Sequence, residues 1–163
     1  MIEIRPIRPD EWTTAKEIVY RVSHILFKDP RPLEEAIAHH EAQGDLKDLD
    51  DIQKNYVGRK GVFLVITDDE RIIGMGAIRR LEDKVCELRR LWLLMEYQGQ
   101  GLGYRLMMQL LRYAREMGYE KMRLETAPVY LKRATAFYRR LGFYEIPAYE
   151  PIHPNDIAME LIL

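Results

Sequence analysis

The sequence predicts an α/β domain in which a mixed β-sheet carries helices on its faces. Three observations lead there. Short apolar runs of strand character recur from Ile2 to Leu163, and hairpin-type turns join three of them in mid-chain. Two helices, each with one apolar face, then separate the later strands, so a β-hairpin series leads into a β-α-β-α segment. With 163 residues the chain suits one domain, 1–163, with a real core, and is too short for two. Apolar residues make up 47% and charged residues 31%, which is ordinary globular composition. A net charge of −1 offers no bulk attraction to nucleic acid or an anionic membrane. Cys86 is the only cysteine, which excludes an internal disulfide and a multi-cysteine metal site. The N-terminus lacks a signal-type apolar run and no later segment is long enough to span a bilayer, so a cytoplasmic setting is expected.

The elements follow in order. Ile2 to Arg8 alternates apolar and polar residues and is expected as a strand ended by Pro9. Asp10 is placed to cap a helix running to about Phe27, whose Trp12, Ala15, Ile18, Val19, Val22, Ile25 and Leu26 recur at helical spacing. Asp29-Pro-Arg-Pro32 breaks it, and a second helical region spans Leu33 to about Tyr56 with an interruption near Gly44. Val62–Thr67 and Ile72–Arg80 read as strands joined by a turn at Asp68–Arg71, and a third strand runs from about Val85 to Leu94. A glycine-rich turn opens a helix to about Met117 with Leu102, Leu106, Met107, Leu110, Leu111 and Ala114 on one face, and Gly118 suits the C′ position. Lys121–Thr126 is expected as a strand and Leu131–Leu141 as a helix ended by Gly142. Phe143–Ile146 and Ile157–Leu163 read as closing strands whose connection is long for a simple hairpin. The order is β-α-α-β-β-β-α-β-α-β-β.

The turn that opens the later helix, Gln98-Gly99-Gln100-Gly101-Leu102-Gly103, carries the most chemistry. Glycines at a strand-to-helix turn remove Cβ atoms, so backbone N–H groups can close around an anion. The helix N-terminus adds unpaired donors and a positive dipole end. The site suits phosphate or pyrophosphate. A dinucleotide fingerprint begun at Gly99 would need glycine where Tyr104 stands, and a Walker loop needs Gly-Lys-Ser/Thr at the helix start, which Gly103-Tyr104-Arg105 does not supply. Between a cofactor cradle and a ligand-free glycine turn, the turn alone does not decide.

A second block does. Ala134-x-x-Phe137-Tyr138-x-x-x-Gly142-Phe143 lies one strand and one helix downstream. Together with Gln98-x-x-Gly101-x-Gly103 it resembles the GNAT superfamily of N-acetyltransferases, specifically from about Val62 to Phe143 and in element order along the whole chain. The resemblance implies a GNAT-like fold with a splayed central sheet and acetyl-CoA as cosubstrate, with no metal. It places Gln98, Gly99, Gln100, Gly101, Leu102, Gly103 and Tyr104 at the pyrophosphate, Leu91, Trp92 and Leu93 along the pantetheine arm, and Tyr138 at the sulfur. Arg105, Lys132, Arg133 and Arg139 are candidates for the ribose phosphate. A valine at Gly101 is expected to block the cofactor while leaving the fold largely intact. The resemblance nominates Tyr138 as acid, the backbone N–H of Leu91 for the oxyanion, and Glu87 as base. Strand alternation puts Glu87, Arg89 and Leu91 on one face, an assignment that a bulge would shift. A phenol (reference pKa about 10) protonating a thiolate (about 8.5) runs uphill by about 2 kcal/mol, so Tyr138 is expected mainly to hydrogen-bond the developing thiolate. Where many members carry asparagine ahead of the second block, this chain has Leu131.

The acceptor is less legible. Segments 27–58 and 147–156 would wall its site. The first carries Glu34, Glu35, Glu41, Asp45, Asp48, Asp50 and Asp51, which suit a cationic amine or a solvated helix face. Arg89 and Arg90 suit instead an acceptor with a carboxylate. These cues conflict, so the expectation is a primary amine, preferably on a small molecule. A protein N-terminus or lysine, and a non-catalytic acyl-CoA-binding module, stand as alternatives. Homodimers are common in the resembling family, and no feature of this sequence specifies one. His24, His39, His40 and His153 lack ligand spacing with carboxylates and are expected to be solvent-exposed rather than metal-bound.

Overall fold

A computed structural model describes all residues, 1–163. Seven strands form one sheet: β1 (Ile2–Pro6), β2 (Val62–Asp68), β3 (Arg71–Glu82), β4 (Val85–Leu93), β5 (Lys121–Thr126), β6 (Tyr144–Ile146) and β7 (Ile157–Ile162). Their spatial order is β1-β2-β3-β4-β5-β7-β6. All neighbours are antiparallel except β4 and β5. The helices are α1 (Trp12–Leu26), α2 (Leu33–Gln43), the single turn α3 (Ile52–Asn55), α4 (Leu102–Glu116) and α5 (Lys132–Leu141).

Most boundaries follow from local chemistry. Gly44 and Gly142 end α2 and α5 in the left-handed conformation, at φ 71° and 104°. The start of α1 differs from expectation. Asp10 is not its cap; a 3-10 turn, Pro9–Glu11, precedes the helix, and the Glu11 carboxylate accepts the Arg8 N–H at 2.9 Å. Glu11 is fixed there by two hydrogen bonds from Arg5, at 2.6 and 3.0 Å, which hold its carboxyl below the ordinary value. A partner on the preceding strand therefore overrode the nearest polar residue.

Helices cover both faces of the sheet. Leu106 and Leu110 of α4 close on Gly76 of β3. On the opposite face α1 contacts β3 and β4, and Lys16 of α1 pairs with Asp50 at 2.6 Å. That pairing holds the segment whose Tyr56 ring lies under the Arg79 guanidinium, 5.5 Å from it. Between the helical layers a single core joins Ile18, Val19 and Val22 of α1 to Phe63, Ile66 and Met75 of the sheet and to Leu106, Met107 and Leu110 of α4.

The sheet opens at its one parallel pair. β4 and β5 are bonded only at Val85–Lys121, Cys86–Met122 and Glu87–Arg123, so Leu88–Leu93 leaves its neighbour. Two consecutive β4 residues, Arg90 and Leu91, stand against the single Gly76 between the Ala77–Arg89 and Met75–Trp92 pairs. This is a β-bulge, which bends and twists its strand. Arg90 has φ 56°, a conformation that costs a non-glycine residue about 1–2 kcal/mol. Its guanidinium is anchored to Asp48 at 2.6 and 3.0 Å and to the Asp45 carbonyl at 3.1 Å, which offsets that strain.

Candidate active site

The bulge decides which way β4 points its side chains. Glu87, Arg89 and Trp92 pair with Arg79, Ala77 and Met75 and share the face covered by α1. Leu91 falls on the α4 face, where its Cδ1 meets Gly76 beside Leu106 and Leu110. Simple alternation, which would group Leu91 with Glu87 and Arg89, is thus overturned by one inserted residue.

A cavity of about 730 Å³ occupies the gap between β4 and β5, lined from both faces. On the α4 face it is bounded by Leu91, Leu93 and the glycine turn. Gly99 and Gly101 take φ 81° and 79°, which folds the turn tightly enough to begin α4 at Leu102. No atom lies within 4 Å of the place a Cβ would occupy at Gly101 or Gly103, so the turn presents bare backbone to open space. Its conformation revises the expected behaviour of a Gly101 valine: at positive φ the side chain strains the turn itself. Gly103 lies inside α4, and a side chain there obstructs the approach without that strain.

The other residues expected along this half divide. Gln98, Leu102 and Tyr104 line the cavity, but Gln100 does not; its Nε2 donates back to the Glu96 carbonyl at 3.4 Å. Trp92 reaches the cavity from the α1 face. Among the cations, Arg133 lines the cavity while Arg105, Lys132 and Arg139 do not, and the Arg133 Nη2 is 3.0 Å from the Cβ position of Gly99. Arg140 also lines the cavity and was not anticipated.

Tyr138, on α5, lines the cavity and is 7% exposed. Burial alone pushes its phenol above the ordinary tyrosine value, so the hydroxyl stays protonated. Thr135, one turn earlier, joins its Oγ1 to that of Thr126 at 3.1 Å and fixes α5 against the end of β5. Leu131 is the N-cap of α5 and supplies no side-chain acceptor to the helix.

The α1 face gathers charge. Glu87 is buried, and its oxygens meet the Tyr149 hydroxyl at 2.9 Å, Arg89 at 3.4 Å and Arg79 at 3.5 Å. Carboxylate oxygens of Glu87, Glu125 and Glu150 lie within 4.8 Å of one another, so they form the one side-chain group with the donor set to hold a metal or another cation. Glu125, on β5, lines the cavity and remains partly open to solvent. Burial, a hydrogen bond with Glu150 and the charges of Glu150 and Glu87 together push its carboxyl up to about 8. Farther along this face Val22, Leu26 and Phe27 of α1 form an apolar wall. The Phe27 ring packs against Tyr130 of the β5–α5 connection at 5.2 Å.

A family model for the acetyltransferase (GNAT) family matches residues 20–143. The chain belongs to the GNAT family. An Escherichia coli (strain K12) relative, YjgM, carries the description "uncharacterized N-acetyltransferase". It is 34% identical over 101 residues, 60% of this chain and 60% of that protein. Human N-acetyltransferase 8 is 33% identical over 102 residues, 59% of this chain and 44% of that one. The chain therefore spans less than two thirds of these relatives. Two solved structures share the fold over nearly the full length of both chains. PaiA N-acetyltransferase from Thermoplasma acidophilum, in complex with coenzyme A, aligns at TM-score 0.81 and 22% identity, covering 100% of this chain and 99% of that one. A GNAT-family acetyltransferase from Staphylococcus aureus Mu50 aligns at TM-score 0.82 and 20% identity, covering 98% of each chain.

Within this GNAT domain the residues that sequence reasoning missed are Glu125, Tyr149 and Glu150. Glu125 sits in an alternating strand and reads there as a solvated charge, while Tyr149 and Glu150 lie in an irregular connection. The available signal for Glu125 was its place near the end of the strand that precedes the Phe-Tyr block. The histidines form no ligand group: His24 Nε2 is 2.7 Å from the Arg31 carbonyl and His40 Nδ1 is 2.7 Å from Asp45. Cys86 is fully buried, and burial pushes its thiol up to about 12, which leaves it unreactive.

Proposed function

We propose that this GNAT domain moves an acetyl group from acetyl-CoA to a primary amine by direct attack, in a cytoplasmic setting. The observation that carries the reading is the gap between β4 and β5, which has a bare-backbone glycine turn on one face, converging carboxylates on the other and Tyr138 in its lining. The residues present fit acetyl-CoA. The N–H groups at the start of α4, the open space at Gly101 and Gly103, and the Arg133 cation suit a pyrophosphate. Leu91, Leu93, Leu131 and Ala134 suit the apolar parts of the pantetheine arm.

When bound, acetyl-CoA supplies an acyl thioester that an amine can attack. The domain must then accept the amine's proton, stabilise charge on the carbonyl oxygen and meet the departing sulfur. Glu125 accepts the proton. It takes part in none of the ion pairs on this face, whereas Glu87 already meets two arginines and a tyrosine. With its carboxyl raised to about 8, Glu125 is also better matched to an alkylammonium near about 10.4 than an ordinary carboxylate is. Glu87 becomes a positioning residue whose negative charge helps keep Glu125 basic. The Leu91 N–H, at the bulge, is assigned to the carbonyl oxygen. Tyr138 donates its hydroxyl hydrogen bond to the sulfur; its raised pKa makes full proton transfer more uphill than for a free phenol.

Thiol release from acetyl-CoA against a panel of amines tests the reading, with Tyr138→Phe as the partner variant. Turnover that falls in Tyr138→Phe supports it. CoA binding without turnover on any amine, unaffected by Tyr138→Phe, would establish a non-catalytic acyl-CoA-binding module instead.

A further inference from the structure

Resting on the acetyl-transfer reading, the structure also discriminates between acceptor classes. The two adjacent arginines of β4 are not equivalent. Arg90 also lines the cavity, but it is tied off by Asp48 and the Asp45 carbonyl. Arg89 lines the cavity, makes one long hydrogen bond to Glu87 at 3.4 Å, and its buried Nε has no partner. A guanidinium carries five N–H donors, and a buried one without an acceptor costs free energy. Arg89 is thus an anion receptor in the wall of the acceptor side.

The acidic segment before β2 stays out of the cavity, and several of its carboxylates are already paired. Asp48 is taken by Arg90, Asp50 and Glu41 by Lys16 at 2.6 and 2.8 Å, and Asp45 by His40. None of these carboxylates lines the cavity. The carboxylates that line the cavity are Glu87, Glu125 and Asp156, and Glu150 joins the first two. Glu87 adjoins both Arg89 and Glu125, 3.4 Å from the Arg89 guanidinium and within 4.8 Å of a Glu125 oxygen. A molecule bearing an amine and a carboxylate on one carbon offers one group to the Arg89 guanidinium and the other to the Glu125 carboxylate. Its third substituent faces Val22, Leu26, Phe27 and Trp92, a wall with no charge.

We propose that the acceptor is a free α-amino acid with an apolar or aromatic side chain, its carboxylate on Arg89 and its amine at Glu125. The test compares four acceptors with acetyl-CoA: L-phenylalanine, L-phenylalaninamide, phenethylamine and spermidine. Phenylalanine is expected to exceed the others by about tenfold or more in kcat/KM, since a hydrogen-bonded charge contact is worth that much. Arg89→Gln should raise KM for phenylalanine and abolish its advantage over phenethylamine, with CoA affinity unchanged; Arg89→Lys should restore part of the preference. Equal or faster acetylation of phenethylamine or spermidine by the unaltered protein overturns the carboxylate assignment and leaves acetyl transfer standing, and preference for the amide points to a peptide N-terminus instead. A protein that binds CoA yet acetylates no amine removes both readings together.

Discussion

The two faces of the β4–β5 gap are built in opposite ways. On the α4 face it is made of backbone from one contiguous segment, Gln98–Gly103, where the absence of side chains is what the proposed cofactor site uses. On the α1 face it is made of side chains from α1, β3, β4, β5 and the 147–156 connection, each meeting partners far away in sequence. A backbone site tolerates change almost everywhere except at its glycines. A side-chain site depends on every strand that presents it. On the proposed reading, the donor half is therefore the general part of this domain and the acceptor half the particular part.

The largest effect expected to separate the halves is at Glu125. Glu125→Gln should lower kcat about 10²- to 10⁴-fold, the usual span for loss of a general base, with CoA affinity unchanged. A base acts deprotonated, so kcat/KM should rise with pH through about 8 in the unaltered protein, and this limb should vanish in the variant. Glu87→Gln removes one of the charges that raise Glu125 and should move the limb to lower pH. A limb unmoved by both substitutions would take the base away from this cluster.

The bulge serves both halves, and its anchor is the next most sensitive point. Arg90→Ala leaves the Asp48 carboxylate without its cation and should cost about 3–5 kcal/mol in denaturant unfolding. Arg90→Gly loses the same pair but relieves the positive φ, so it should be the milder substitution by about 1 kcal/mol. Burial would raise the Asp48 pKa, and Arg90 and Tyr56 outweigh it, so the carboxyl sits below its ordinary value. A depressed folded-state pKa stabilises above the unfolded value, so the Arg90 contribution should persist above about pH 4 and fade as pH drops through the folded pKa. If Arg90→Gly proves no milder than Arg90→Ala, the bulge is not strained.

The donor half alone is probed at Gly103. Gly103→Val should weaken CoA about 10- to 100-fold by calorimetry, the equivalent of one or two lost hydrogen bonds to a charged group, with little change in melting temperature. Unchanged affinity would sink the cradle assignment. The smallest effect concerns Leu131, where asparagine would cap α5 and should add about 1 kcal/mol of stability. A gain in thermal unfolding without altered acceptor preference would show that this position belongs to the donor half.

The sequence by itself determined the element order, most strand and helix limits to within a few residues, and the place of the glycine turn. These depend on periodicity, turn residues and glycines that act over a few neighbouring positions, where backbone sterics and local burial leave few alternatives. Only the tertiary structure separated Arg89 from Arg90, turned Leu91 away from Glu87, and brought Glu125, Tyr149 and Glu150 to one point. In sequence the two arginines are interchangeable; in space both line the cavity, but a bulge and one aspartate neutralise the second and leave the first with an unpartnered donor. The difference arises because local conformation is encoded by adjacent residues. The electrostatic role of a side chain is set by whichever distant groups the completed sheet carries within a few ångströms of it.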